Sequence, residues 1–68
     1  MKREVDKVIY TMMLEFLEDR IELYEMYIEA AGDDAKRASR YRRMLDDITE
    51  IKNTFERVYR PHRTRKSD

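Results

Sequence analysis

One glycine and one proline punctuate this chain, and they leave two long stretches with nothing in them to break a helix. Gly32 lies within Ala30-Ala31-Gly32-Asp33-Asp34, and Pro61 follows Arg60. Glycine suits the residue just past a helix end, because it has no Cβ to clash in a left-handed conformation. Asp33 or Asp34 can then cap the next helix by accepting a free backbone N–H. The residue before a proline is pushed out of the helical region, so Arg60-Pro61 closes the second stretch. The pattern predicts helix 1 over about 3–31, a tight turn at 32–33 and helix 2 over about 34–59. Residues 1–60 then form one unit. A loop this short makes consecutive helices antiparallel neighbours, so the fold class is all-α, an antiparallel two-helix hairpin.

Projection at 100° per residue gives the two helices different surfaces. On helix 2 the apolar stripe is Tyr41, Met44, Leu45, Ile48, Ile51, Phe55, Val58 and Tyr59. It covers roughly 160°, an ordinary one-sided amphipathic helix. Met44, Ile48, Ile51, Phe55 and Val58 alternate by four and three, as in a coiled-coil seam. Helix 1 carries apolar residues over roughly 240° of its circumference. One partner helix cannot cover that. A two-helix monomer of 68 residues also has a thin core. Self-association of two hairpins into a four-helix bundle answers both problems, with helix 1 central. The expected protein interface is Ile9, Met13, Phe16, Leu17, Arg20, Tyr24, Tyr27 and Ile28. Docking of a different protein on the same face is the alternative occupant.

The charges add a second layer. Lys plus Arg and Asp plus Glu are 15 each, so the formal net charge is zero. The zero conceals two unequal halves: residues 1–34 hold 4 basic and 10 acidic residues, residues 35–68 hold 11 and 5. The halves are therefore −6 and +6. An acidic ridge, Glu15, Glu18, Glu22, Glu25 and Glu29, lines one face of helix 1 at spacings of three and four. A hairpin register with residue numbers summing to about 65 sets Glu29 near Lys36, Glu25 near Arg40 and Glu22 near Arg43. Each such surface pair is worth about 0.2–1 kcal/mol. The same register brings like charges together at Glu18 with Asp47 and Glu15 with Glu50. Arg20 projects into the apolar arc of helix 1. Its expected role is to span an interhelix seam, stack on Tyr24 or Tyr27 and reach an acid such as Asp19 or Glu56 of a neighbouring chain.

The stretch Arg60 to Asp68 holds four basic residues and no apolar anchor, so the tail at 61–68 is expected to be disordered. With the helix 2 arginines it offers a second functional reading, a nucleic-acid surface. That surface comprises Arg37, Arg40, Arg42, Arg43, Arg57, Arg60, Arg63, Arg65 and Lys66, with Tyr41 and Tyr59 available for base stacking. The acidic ridge on an adjacent face opposes it by repelling phosphate.

The inventory argues against catalysis. There is no Cys, the two serines are Ser39 and Ser67, and the single histidine, His62, follows the helix-ending proline. One glycine makes no phosphate-cradling loop. No metal site, cofactor or small-molecule substrate is expected, because Glu15, Glu18, Asp47 and Glu50 lack a histidine and point away from the apolar face. The longest apolar run, Ile9 to Leu14, is too short to span a bilayer, and Met1 to Asp6 leads into no signal-peptide core. The absence of cysteine rules out a disulfide framework, and a cytoplasmic location follows as the expectation.

The layout is similar to that of the Rop-type plasmid RNA-binding hairpins, which are short, two-helix and dimeric with a loose tail. The resemblance is one of architecture and transfers no site residue. The sequence thus leads to a small non-enzymatic adaptor, regulator or inhibitor, acting by protein–protein binding as a homodimeric hairpin. The alternative is an RNA- or DNA-binding hairpin using the basic face of helix 2 and the tail.

Overall fold

The computed structural model describes residues 2–62, and the candidates Arg63, Arg65 and Lys66 lie outside them. The element order is β1 (Arg3–Val5), α1 (Lys7–Ala31), α2 (Ala35–Val58) and β2 (Tyr59–Pro61). The two helices pack antiparallel, as expected of an all-α hairpin: Tyr10 near the start of α1 stacks on Phe55 near the end of α2, with centroids 4.9 Å apart. At the other end Tyr27 meets Tyr41 at 5.1 Å.

Each helix boundary has a local cause. The Asp6 carboxylate accepts hydrogen bonds from the Val8 and Ile9 amides, at 2.8 and 3.4 Å, and starts α1. Helix 1 therefore begins at Lys7, four residues later than the expected 3. Gly32 adopts φ 57° and ψ −119°, a region open to glycine alone, and its N–H donates to the Glu29 carbonyl. Asp34, rather than Asp33, caps α2 by accepting from the Arg37 amide at 3.1 Å.

The seam between the helices follows a strict four–three repeat. Tyr10, Leu14, Leu17, Ile21, Tyr24, Ile28 and Ala31 of α1 are its half-buried or buried positions. They meet Ala38, Tyr41, Leu45, Ile48, Lys52, Phe55 and Tyr59 from α2 and its end. This corrects the expected helix 2 seam: Met44, Ile51 and Val58 lie outside it and are exposed. Lys52 takes a seam position because its stem is apolar while its ammonium reaches Glu56 at 3.5 Å and Glu18 at 4.0 Å.

The hairpin is one layer thick, with a least extent of 10 Å. Its radius of gyration, 15.9 Å, exceeds the roughly 11 Å of a compact chain of this length. A single layer has little interior. Among the described residues only Leu17 and Ala38 are buried apolar positions.

The ends of the hairpin are clasped together. β1 and β2 pair in parallel, with Arg3 opposite Tyr59, Glu4 opposite Arg60 and Val5 opposite Pro61. The His62 N–H donates to the Val5 carbonyl at 2.6 Å. Pro61 and His62, expected to belong to a disordered tail at 61–68, are instead held by strand pairing and by the bond to Val5, and the rest of that stretch lies outside the described residues.

Candidate interaction surface

A one-layer hairpin has two broad faces, and helix geometry fixes which residues share them. The residue preceding a seam position by one lies about 100° around the helix. In an antiparallel pair, these preceding residues on both helices point to the same broad side. On α1 they are Ile9, Met13, Phe16, Arg20, Leu23, Tyr27 and Ala30; on α2 they are Arg37, Arg40, Met44, Asp47, Ile51, Thr54 and Val58. Two shallow depressions mark the same side, one lined by residues including Tyr27, Ala30 and Arg37, the other by Asp47, Ile51 and Thr54.

This face carries most of the large exposed apolar side chains. Ile9, Met13, Phe16, Tyr27, Met44, Ile51 and Val58 are between 37% and 56% exposed. Met12 and Met26 extend the apolar surface along the outer edge of α1, and the exposed Val8 lies at the start of the opposite face. The expected interface residues therefore divide. Ile9, Met13, Phe16, Arg20 and Tyr27 lie on the open face, whereas Leu17, Tyr24 and Ile28 turn into the hairpin's own seam. Leu17, at 5% exposure, is the best buried of all.

Arg20 sits in the middle of the apolar face. It is exposed, and its guanidinium lies 5.6 Å from the centroid of Phe16. The expected stacking partners Tyr24 and Tyr27 instead contact each other, edge to face at 6.1 Å. Along the helix, Phe16 lies one turn before Arg20, and its ring is free to receive the guanidinium because it does not enter the seam.

The opposite broad face is polar. Residues following each seam position by one include Glu15, Glu18, Glu22, Glu25 and Glu29 on α1 and Arg42, Asp46, Asn53 and Glu56 on α2. The expected pairs Glu29–Lys36, Glu25–Arg40 and Glu22–Arg43 are not among the ion pairs of the described residues. Their levels along the hairpin agree, but their faces do not: Arg40 points to the apolar side, and Lys36 and Arg43 to the outer edge of α2. The expected meeting of Glu18 with Asp47 fails for the same reason, and Glu18 meets Lys52 instead.

The candidate nucleic-acid residues are not gathered into a stripe among the described residues. Arg37 and Arg40 belong to the apolar side, Arg42 to the acidic side, and Arg43 and Arg57 to the outer edge of α2. Arg37 also lies 3.8 Å from Asp34, and Arg57 donates to the Thr54 hydroxyl at 3.4 Å. Arg60 is engaged in the clasp, where its Nη2 donates to Glu4 Oε2 at 2.7 Å. The other carboxylate oxygen of Glu4 lies 3.0 Å from His62 Nδ1. These hydrogen bonds, from His62 first and Arg60 second, hold the Glu4 carboxyl below its ordinary value of 4.5.

The clasp escaped the sequence reading because three-residue strands carry no periodicity. The signal for the open face was present: a second four–three repeat, displaced by one residue from the seam, runs along both helices. Among the described residues no group of three or more acidic or histidine side chains is placed to hold a metal ion, and no helix is long and apolar enough to cross a membrane. The sequence matches no family model, and neither a curated protein nor a solved structure is significantly similar to the chain.

Proposed function

We propose that this chain is a small non-enzymatic, cytoplasmic binding module, an adaptor, regulator or inhibitor that acts through protein–protein contacts as a homodimeric helical hairpin. One observation carries the reading: seven large apolar side chains from two helices share one open face, and each is about half exposed. Large contiguous apolar patches on small proteins mark interaction sites. The mixture on this face, Met, Phe and Tyr around a central Arg, is the composition enriched in protein interfaces.

The test is capture on the immobilised chain from a lysate to which a tagged second copy of the chain has been added, with and without nuclease, using wild type and the Phe16→Asp/Ile51→Asp variant. The expected result is a nuclease-resistant protein partner retained by wild type and lost by the variant, with helix content unchanged by circular dichroism. Nuclease-sensitive capture, or capture indifferent to the two substitutions, would refute the reading.

A further inference from the structure

We infer that the occupant of the open apolar face is a second copy of this chain, packed face to face with both turns at the same end and with Arg20 of each copy against Asp47 of the other. This rests on the protein-binding reading of the same face and supplies the partner and register that reading leaves open.

The argument begins with symmetry. A face-to-face dimer needs a two-fold axis lying in the interface, either along the hairpin or across it. An axis along the hairpin preserves height and lays α1 of one copy over α2 of its mate. An axis across it lays α1 over α1. Arg20 sits at the middle of α1 (Lys7–Ala31), so the crosswise arrangement brings the two Arg20 guanidiniums together. Like charges at the centre of an apolar interface oppose association.

The lengthwise arrangement is complementary in charge and shape. Within one hairpin, the open-face residues of α1 and α2 at equal height have numbers summing to about 67, one residue from the register of the turn, where Ala31 ends α1 and Ala35 begins α2. Height is preserved, so the same pairs face one another between copies. Phe16 then meets Ile51, and Leu23 meets Met44. Arg20 meets Asp47, one cation against one carboxylate, and Tyr27 meets Arg40, a ring against a guanidinium. Neither Arg20 nor Asp47 has an ionic partner within its own chain among the described residues. A polar pair set in an otherwise apolar seam fixes register.

The area also suffices. Seven side chains about half exposed, at roughly 200 Å² for each large side chain, offer on the order of 650 Å² per copy and 1,300 Å² for the pair. Stable interfaces bury about 1,200–2,000 Å² in total.

Charge reversal and cross-linking test this directly. Sedimentation equilibrium should give a dimer for wild type, with the dissociation constant raised at least about tenfold by Arg20→Glu alone and by Asp47→Arg alone. Mixing the two variants should restore association, because each reversed charge then faces an opposite one. The chain has no cysteine, so Met13→Cys and Thr54→Cys each introduce a single thiol. An oxidised mixture of the two should yield a disulfide-linked heterodimer in excess of either homodimer. Mixed charge variants that associate no better than each alone, or the absence of the 13–54 cross-link, would overturn the inference. So would a wild-type chain that stays monomeric at millimolar concentration. If such a monomer still captured a foreign protein through Phe16 and Ile51, the inference would fall while the protein-binding reading stood.

Discussion

Leu17 and Phe16 are neighbours in sequence and opposites in this fold, which makes them a direct probe of which side of α1 holds the hairpin together. Leu17 is 5% exposed and sits mid-seam, whereas Phe16 is 54% exposed on the open face. Leu17→Ala deletes about three carbons of buried side chain, worth roughly 0.8 kcal/mol each in transfer from water. The cavity penalty that normally adds to this is reduced here, because a one-layer hairpin has no second wall and can relax around the gap. The expected loss is therefore about 2–3 kcal/mol, in the lower half of the usual range for this substitution. A chain of 68 residues has roughly 3–10 kcal/mol of stability, so this is a large fraction of the whole. It corresponds to a fall in Tm of roughly 10–20 °C. Phe16→Ala in dilute protein should cost no more than about 1 kcal/mol, the value of an exposed ring under a guanidinium. Urea unfolding followed by far-ultraviolet circular dichroism, at concentrations low enough for monomer, separates the two. A Leu17→Ala loss below about 1 kcal/mol, or one matched by Phe16→Ala, would refute the seam described here. Raising the concentration should increase wild-type Tm and leave Phe16→Ala nearly unchanged, since association stabilises only a chain that can associate.

Further outcomes follow from individual contacts. Asp6→Ala removes the acceptor for the Val8 and Ile9 amides and should cost about 1 kcal/mol, read as a drop in Tm and fraying of the first turn of α1 by amide exchange. Gly32→Ala should cost about 1–3 kcal/mol by thermal melts from backbone strain alone, since a Cβ there meets nothing within 4 Å. Lys52→Met should stay within about 1 kcal/mol of wild type by urea unfolding, because the two ion pairs it breaks are partly exposed and the seam position is apolar on its other sides. The clasp should depend on acid. The carboxyl of Glu4 is held below 4.5 in the folded chain, so its contribution is fully present above that value and is lost as pH falls through the lowered one. Protection of the His62 amide, whose N–H donates to Val5, taken relative to the intrinsic exchange rate at each pH, should fall over that acid range in wild type and lose this dependence in Glu4→Gln.

The hairpin was legible because its punctuation is sparse and chemically specific. Gly32, Asp34 and Pro61 mark the helix ends through φ, capping and loss of a donor, and these are local effects that sequence carries directly. The choice of seam was not legible to the same degree. Helix 1 is apolar over so much of its surface that three adjacent stripes compete, and apolarity does not rank them. On α2 the apolar residues alone favour Met44, Ile48, Ile51, Phe55 and Val58, because Lys52 looks disqualified from a seam. It is admitted because its ammonium leaves the seam toward Glu18 and Glu56. Shifting the seam by one residue moved every cross-helix charge pair to a different face, so a correct register along the hairpin still gave the wrong partners. The clasp has another cause: Glu4, Arg60 and His62 are brought together by two strands too short to show a pattern.

The two faces of the hairpin also bear on how many copies can assemble. A layer with apolar residues on both broad sides would stack without limit, since each added copy would present a fresh apolar surface. Here the second side carries Glu15, Glu18, Glu22, Glu25 and Glu29, with Lys52 and Arg42 too few to neutralise them. A third copy approaching that side would bring either its apolar face against five carboxylates or its own acidic ridge against this one. The first desolvates charge without pairing it, and the second sets like charges opposite each other. The ridge that repels itself along α1, at a cost of a few tenths of a kcal/mol per pair, thereby closes the proposed assembly at two. Replacing Glu18, Glu22 and Glu25 with glutamine tests this reasoning by sedimentation velocity. The expected result is a distribution extending beyond the dimer at low salt, whereas wild type keeps a single dimer boundary. A triple variant that sediments as wild type does across the same concentrations would show that something other than the ridge limits assembly.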